Sequence, residues 1–386
     1  MNRHIIIVND YCFINGGASK IAIYTAIGLA DQDKDVYFFG AVGPICEELK
    51  KSKCKVICLN QQDINHKDSK FKVLTEGVDN KTARKEFKKL IDSFGDDEVI
   101  VHLHAWNKAI SSSPFRYLKS KANAKSVVTL HDYFTICPNG GLYDYKHKHI
   151  CHLKSDMKCL FCNCDKRSYL QKLFRFYRYK RQQRDMKEIN NFIYISQLNK
   201  KVFLEKYKGK PNMFFVQNFV ESAKEKVPHP ELNEYYLYVG RISEEKGVDT
   251  LCQALTQTNN KGFIIGDGPM YDELKEKYPN LVFTGWLNHD QMVPYIMKSK
   301  AFVFPSKWYE GAPLIIPEML SYGLPCIVSD CSAAVEIINE KALIFSNYDE
   351  LCVILLKREF MSPKDAKFYD LHQYEIECLK TYSYLT

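Results

Sequence analysis

Short apolar runs rich in Val, Ile, Leu and Phe recur along this chain. Almost every pair is separated by a stretch long enough for one helix. Runs near 4–8, 36–40, 55–59, 99–104, 126–130, 192–195 and 213–216 read as strands, with helices near 18–31, 80–94, 107–122, 166–190 and 197–206 between them. A second set follows, with strands near 235–239, 261–265, 281–284, 301–304, 325–328 and 343–345 and helices near 247–255, 270–278, 289–299, 313–323, 333–339 and 348–357. Strands that are apolar throughout and alternate with helices predict parallel sheets covered on both faces. The fold class is therefore α/β, doubly wound, and it occurs twice. The polar, proline-punctuated stretch 218–234 reads as the linker between domains at 1–217 and 235–362, and 363–386 reads as a C-terminal helix.

A chain of 386 residues exceeds one ordinary core, which agrees with two domains. No apolar run reaches the roughly 18 residues that a membrane span needs. The first apolar run is too short for a secretory signal, and Asn9-Asp10 is expected to end it as a strand, so a cytoplasmic protein is expected. No tandem repeat is visible. Without a secretory signal, the 14 cysteines are not expected to form a disulfide framework. The net charge of +8 is unevenly spread. Residues 1–234 hold 40 Lys/Arg against 26 Asp/Glu, and residues 235–386 hold 14 against 20. A basic half beside an acidic half suggests that the first half meets something anionic.

Three motifs in the second half sit at predicted strand ends. Gly240-Arg241…Lys246-Gly247 follows a strand and precedes a helix. Gly240 permits a tight turn there, and Arg241 and Lys246 place two cations where a diphosphate can be gripped. Gly266 and Gly268 in Gly-Asp-Gly would let the backbone approach a base or phosphate, though a two-glycine spacing alone is a weak signal. Phe304-Pro305-Ser306-Lys307-Trp308-Tyr309-Glu310-Gly311 then runs from a strand into a loop, and Glu318 follows on the next helix with seven residues between it and Glu310. Pro313 or Pro317 is expected to be the first helical residue. The amides from Gly311 to Leu314 would then point at an anion, and Glu318 could accept from ribose hydroxyls.

These blocks resemble the family-4 retaining glycosyltransferases, whose signature is Glu-x7-Glu with an upstream Gly-Arg…Lys-Gly. The resemblance implies the GT-B architecture, in which two Rossmann-like domains face each other across a cleft and a C-terminal helix crosses back to the first domain. It assigns Arg241 and Lys246 to the pyrophosphate, Glu318 to the ribose and Glu310 to the hexose at the reacting centre. It extends to the first half, where Gly16-Gly17 matches a glycine pair that contacts donor phosphate or acceptor, and His131 matches a histidine that reaches the donor sugar. Cys331-Ser332-Ala333-Ala334 departs from the pattern, since the family often carries glycines there. The implied chemistry needs no catalytic cofactor.

Other features of the first half are read from the residues alone. His102 and His104 are expected to face opposite sides of one strand, with His104 the better site candidate and His102 a core residue. Cys137, Cys151, Cys159, Cys162 and Cys164 fall within 28 residues, and Cys159-x2-Cys162 with Cys137 and Cys151 would suit a structural zinc pinning an insertion at 137–164. An iron–sulfur cluster is less favoured. Residues 166–187 hold nine Lys/Arg and one acid interleaved with aromatics, which suits either an anionic membrane surface or a solvated helix with its apolar side in the core.

The expected activity is hexosyl transfer from a nucleoside-diphosphate sugar to a hydroxyl of a glycan acceptor, a lipid-linked one among the candidates, in cell-surface polysaccharide synthesis at the inner face of the cytoplasmic membrane. Its rivals are a non-catalytic nucleotide-sugar-binding protein of the same fold and a zinc-containing RNA-binding or scaffold protein. The chain shows no module for nucleic-acid recognition.

Overall fold

The computed structural model describes residues 3–66, 69–338, 343–357 and 368–385. They form two compact units. One comprises the chain up to Gly141, His152–Phe219 and the tail from Leu371, and the other comprises Leu142–Cys151 and Val220–Asp370. The anticipated boundary at 362, and 363–367 of the expected tail helix, lie outside the described residues.

The strands in chain order are β1 (Arg3–Tyr11), β2 (Asp35–Val42), β3 (Lys55–Cys58), β4 (Glu98–Leu103), β5 (Ala124–Thr129), β6 (Tyr143–Asp144), β7 (His149–Ile150), β8 (Asn191–Tyr194) and β9 (Asn212–Phe215). They continue with β10 (Tyr235–Val239), β11 (Lys261–Ile265), β12 (Val282–Gly285), β13 (Ser299–Phe304), β14 (Cys326–Ser329) and β15 (Ile344–Phe345).

The first unit is built on a parallel sheet of order β3-β2-β1-β4-β5-β8-β9. Successive side chains of a strand point to opposite faces, and Ile5, Ile6, Ile7 and Val8 are all buried, so both faces of β1 are covered. Helix Gly17–Asp31 covers one face through Ile21, Ala22, Ala26 and Leu29. The tail helix Leu371–Ser383 lies against it. Tyr374 and Thr25 hydroxyls meet at 3.0 Å, and Gln32 donates to the Glu375 carboxylate. Gly28 gives Glu375 room, because a Cβ at 28 would sit 1.7 Å from its Oε1.

The second unit repeats the scheme with order β12-β11-β10-β13-β14-β15, again parallel throughout. Tyr236 and Tyr238 of β10 enter a core on one face with Leu251, Leu255 and Leu274, while Leu237 enters the opposite core with Phe302 and Ile316. In each sheet the strand order reverses once, between β1 and β4 and between β10 and β13. Loops leaving the carboxyl ends of such a pair diverge and leave a crevice for ligands.

The structure corrects several expectations. Asn9-Asp10 does not end the first strand, which runs to Tyr11 with both residues buried. The expected helix at 107–122 is a 3-10 turn, Ser113–Ser120, preceded by a loop. Asp10 explains both differences. Its carboxylate accepts from the amides of Lys108, Ala109 and Ile110 at 2.7–2.9 Å, holding them away from helical partners. The helix expected at 166–190 is Tyr169–Asp185, capped by Ser168 accepting from Gln171 N. Within the cysteine-rich insertion, Leu142–Cys151 forms the hairpin β6–β7 and groups with the second unit, where Lys148 Nζ lies 3.6 Å from Glu244.

Candidate active site

In the second unit, two loops leave neighbouring strands at the switch point. The loop after β10 carries Arg241 and Lys246, and the loop after β13 carries Ser306, Trp308 and Glu310. Lys246 Nζ donates to Glu310 Oε1, tying one loop to the other across 64 residues of sequence. The same oxygen accepts from Ser306 Oγ at 3.1 Å and from Trp308 Nε1 at 2.5 Å. The Lys246 ammonium also lies 5.2 Å from the centre of the Trp308 ring. Three donors fix Oε1, and Oε2 takes part in none of these bonds. The side chains of Lys246 and Glu310 are 23% and 16% exposed, so the pair is shielded from water yet within a ligand's reach.

The loop after β14 supports this arrangement. Ser329 Oγ donates to the Ser306 carbonyl at 2.6 Å, and Cys331 Sγ contacts the carbonyls of Ser306 and Trp308. Ala333 N donates to the Glu310 carbonyl at 3.0 Å, and Glu310 bridges to Ser332. The segment that departs from the family pattern is therefore the one that pins the Glu310 backbone. Sequence reasoning did not single out Ser306, Trp308 or Cys331. Ser306 and Trp308 were nevertheless adjacent to Glu310, and a hydroxyl and an indole N–H beside a loop carboxylate are a usable signal.

The remaining predicted residues fall as follows. Arg241 is exposed, and its guanidinium forms no hydrogen bond or ion pair among the described residues. Glu318 lies in the first turn of helix Ile315–Ser321, 26% exposed, with His289 Nε2 at 3.4 Å. That helix begins at Ile315, so neither Pro313 nor Pro317 is its first residue. Leu314 is its N-cap, and Pro317 is its third residue, where the missing N–H would have no helical partner anyway. Gly311 and Leu314 sit in the connecting loop, half-buried. Gly266 and Gly268 have a packing role before any ligand is considered. A Cβ at 266 would lie 1.9 Å from the Gly240 carbonyl oxygen, and one at 268 would lie 2.2 Å from that of Ile242. The two glycines let the loops after β10 and β11 touch.

In the first unit, Gly16, His104 and His131 all follow the carboxyl ends of adjacent strands β1, β4 and β5. Gly16 caps helix Gly17–Asp31, and a Cβ there would meet nothing within 4 Å. Gly17 begins that helix and is exposed. His102 and His104 do not face opposite sides. Their ring centres are 4.1 Å apart, because residues two apart in a strand share a face. His102 is a buried structural residue, bonded to Tyr382 OH at 2.7 Å and Thr129 Oγ1 at 2.6 Å. His104 Nδ1 meets His131 Nε2 at 2.8 Å. Burial disfavours the imidazolium, and it pushes His102 down to about 3, His131 down to about 4 and His104 well below its ordinary value. The 104–131 contact is therefore a neutral N–H···N bond. His104 Nε2 is buried without a partner. A lone pair left unpaired costs less than an unpaired N–H, so the shared proton belongs on His104 Nδ1. His131 then carries its own proton on Nδ1, as a donor. Asp132 is exposed. Desolvation by the protein around it raises its carboxyl, and the Phe134 N–H that it accepts opposes that rise.

Cys137, Cys151 and Cys159 are buried and Cys162 is half-buried. Cys159 shares the Nζ of Lys172 with Cys164. On the hairpin, Asp144, His147 and His149 bring ligand atoms within 4.8 Å of one another. Asp144 already accepts from the amides of Lys146 and His147 and from the His147 ring, so the turn itself accounts for much of this proximity.

Residues 233–354 match the family described as Glycosyl transferases group 1, and this stretch includes Arg241, Lys246, Glu310 and Glu318. The chain is 31% identical over 103 residues to a GDP-mannose-dependent alpha-mannosyltransferase of Corynebacterium glutamicum, covering 27% of this chain and 25% of that protein. It is 45% identical over 75 residues to a UDP-Gal:alpha-D-GlcNAc-diphosphoundecaprenol alpha-1,3-galactosyltransferase of Escherichia coli, covering 17% and 18%. The matched stretches thus span a quarter or less of these two relatives. Among solved structures, sucrose-phosphate synthase from Thermosynechococcus elongatus superposes with a TM-score of 0.66 at 16% identity, covering 92% of this chain and 89% of that one. Two parallel-sheet Rossmann-like units with these neighbours are the GT-B fold.

Proposed function

We propose that the chain is a retaining glycosyltransferase, moving a hexose from a nucleoside-diphosphate sugar to a hydroxyl of a cell-surface glycan. The observation that carries this reading is the Lys246–Glu310 pair at the β10/β13 switch point, inside the stretch matching Glycosyl transferases group 1. Glu310 holds the ammonium of Lys246 in place before the donor arrives. A diphosphate entering beside Arg241 and Lys246 would share that ammonium. Both cations would then oppose the charge that builds on the leaving phosphate, where preorganised electrostatics lower a barrier most. Oε2 of Glu310 would face the sugar, and Glu318 the ribose. His131, a neutral donor, would bond a sugar hydroxyl or the developing charge. The leaving phosphate would take the acceptor's proton, which keeps attack on the face the diphosphate leaves and so retains configuration.

The two named relatives use GDP-mannose and UDP-Gal, so the donor base and sugar are open. A diphosphate-linked lipid acceptor is supported by the second relative's name alone. A thermal-shift screen of nucleotide sugars should pick out one donor, because a ligand that binds only the folded chain raises the melting temperature. Arg241→Ala should abolish that shift and cut transfer severely while the protein stays folded. A variant that transfers at the parental rate would refute the donor site.

Among the described residues no helix is long and apolar enough to cross a membrane. We infer peripheral contact with an anionic membrane face in the cytoplasm. Met157, Phe161, Leu170 and Tyr177 are exposed on two adjoining helices, Phe161 at 70% and Leu170 at 77%, among Lys158, Lys166 and Arg167. Apolar side chains beside cations suit a headgroup boundary. The protein should sediment with vesicles containing phosphatidylglycerol, and a Phe161→Ser, Leu170→Ser double variant should sediment much less. Equal sedimentation of both would count against this surface.

A further inference from the structure

Lys172, in helix Tyr169–Asp185, is completely buried, with 0% of its surface exposed. Its Nζ donates to Cys159 Sγ at 3.2 Å and to Cys164 Sγ at 3.3 Å. Asn139 Nδ2 donates to the same Cys164 sulfur at 3.2 Å and to the Cys164 carbonyl. A buried ammonium is costly unless an anion lies beside it. Asp165, next to Cys164 in sequence, is engaged with Arg175. The sulfurs are the groups in contact, and a thiol is a poor acceptor where a thiolate is a good one. Three N–H contacts converging on two cysteine sulfurs are what metal-bound thiolates receive from the groups around them, since such bonds draw off the charge that several sulfurs place on one ion.

We propose that the cysteine-rich segment holds a zinc ion on its thiolates, with Cys159 and Cys164 among the charged sulfurs and Lys172 as their charge partner. Cys159-x2-Cys162 is a common zinc clamp, and Cys137 is a further buried sulfur of the first unit. The structure changes the sequence expectation by adding Cys164 and the lysine. Zinc suits the set because it is borderline-soft, accepts four sulfurs and needs no redox partner. Each ligating thiol releases its proton to solvent as the ion binds. The ion would fix the first-unit stretch 152–168, whose secondary structure is one five-residue helix. This assignment does not depend on the proposed transferase activity.

The test is elemental analysis of the purified 386-residue chain, with cobalt substitution. About one zinc per chain is expected. Co2+ in its place should give a near-ultraviolet sulfur-to-metal charge-transfer band. Cys159→Ser and Cys164→Ser should lower the zinc content, and Lys172→Met should release zinc to a chelator several-fold faster than the parent. If a cysteine variant does not fold, the parent's metal content and cobalt spectrum still decide. A folded, metal-free protein without a thiolate band after cobalt addition would overturn the proposal, as would iron with sulfide in place of zinc.

Discussion

Glu310→Gln should lower the transfer rate about 100- to 1,000-fold with little change in fold, the loss expected when one preorganised electrostatic group is removed from a reacting centre. Three donors, Lys246 Nζ, Ser306 Oγ and Trp308 Nε1, meet on Oε1. Those donors would keep the amide oxygen of a glutamine at that position, which turns its NH2 to the place of Oε2. An acceptor becomes a donor at the edge that would face the sugar, and Lys246 loses its countercharge. Donor affinity should change much less than turnover, because the diphosphate cations remain. The comparison is kcat against KM for the donor that the thermal-shift screen identifies. A variant whose turnover stays within a few-fold of the parent would remove Glu310 from the reaction and leave it a loop-pinning residue.

The largest expected stability effect lies one residue after Lys246. Gly247 is buried, has φ +68°, and a Cβ there would stand 1.9 Å from the carbonyl oxygen of Pro305. Alanine at 247 would carry about 1 kcal/mol of left-handed backbone strain. It would also push on the backbone that begins the Glu310 loop, an overpacking cost of about 1–3 kcal/mol. Gly323→Ala is the control, since Gly323 lies in the same unit with φ +77° and its Cβ would meet nothing closer than 3.8 Å, so only the strain applies. Two of the three tryptophans, Trp286 and Trp308, lie in the second unit, and their fluorescence during urea unfolding reports on it. Gly247→Ala should lower the urea midpoint by roughly 1 M or more, given typical denaturant slopes. A fall no larger than that of Gly323→Ala would mean that the β10 and β13 loops do not pack as described.

Much of the fold was legible because buried parallel strands leave a simple trace. Runs such as Ile5-Ile6-Ile7-Val8 and Ala301-Phe302-Val303-Phe304 are apolar on both faces, and nothing else in a chain of this composition needs that pattern. The helix start and stop signals were less decisive. Pro317 looked like a helix opener and is an interior first-turn residue, because Pro313 and Leu314 had already begun the turn. The loop at 107–112 was read as helix because nothing local forbids one. Its amides are taken by Asp10, 98 residues upstream, and no local pattern reports a partner so distant. The placement of His102 and His104 on opposite faces was an error of period, and their ring centres 4.1 Å apart show it.

The sequence by itself determined that two strand–helix sets occur in succession, and that Arg241, Lys246, Glu310 and Glu318 all fall at strand ends or first helical turns. These are local facts, set by apolar period and by turn chemistry within a few residues. Only the tertiary structure decided that Lys246 grips Glu310, that one carboxylate oxygen is saturated while the other is not, that the loop after β14 pins Glu310, and that Lys172 lies buried against two cysteine sulfurs. Each of these joins residues brought together by sheet order and helix packing. Hydrogen bonds and ion pairs act over about 3 Å of space, whatever the distance along the chain.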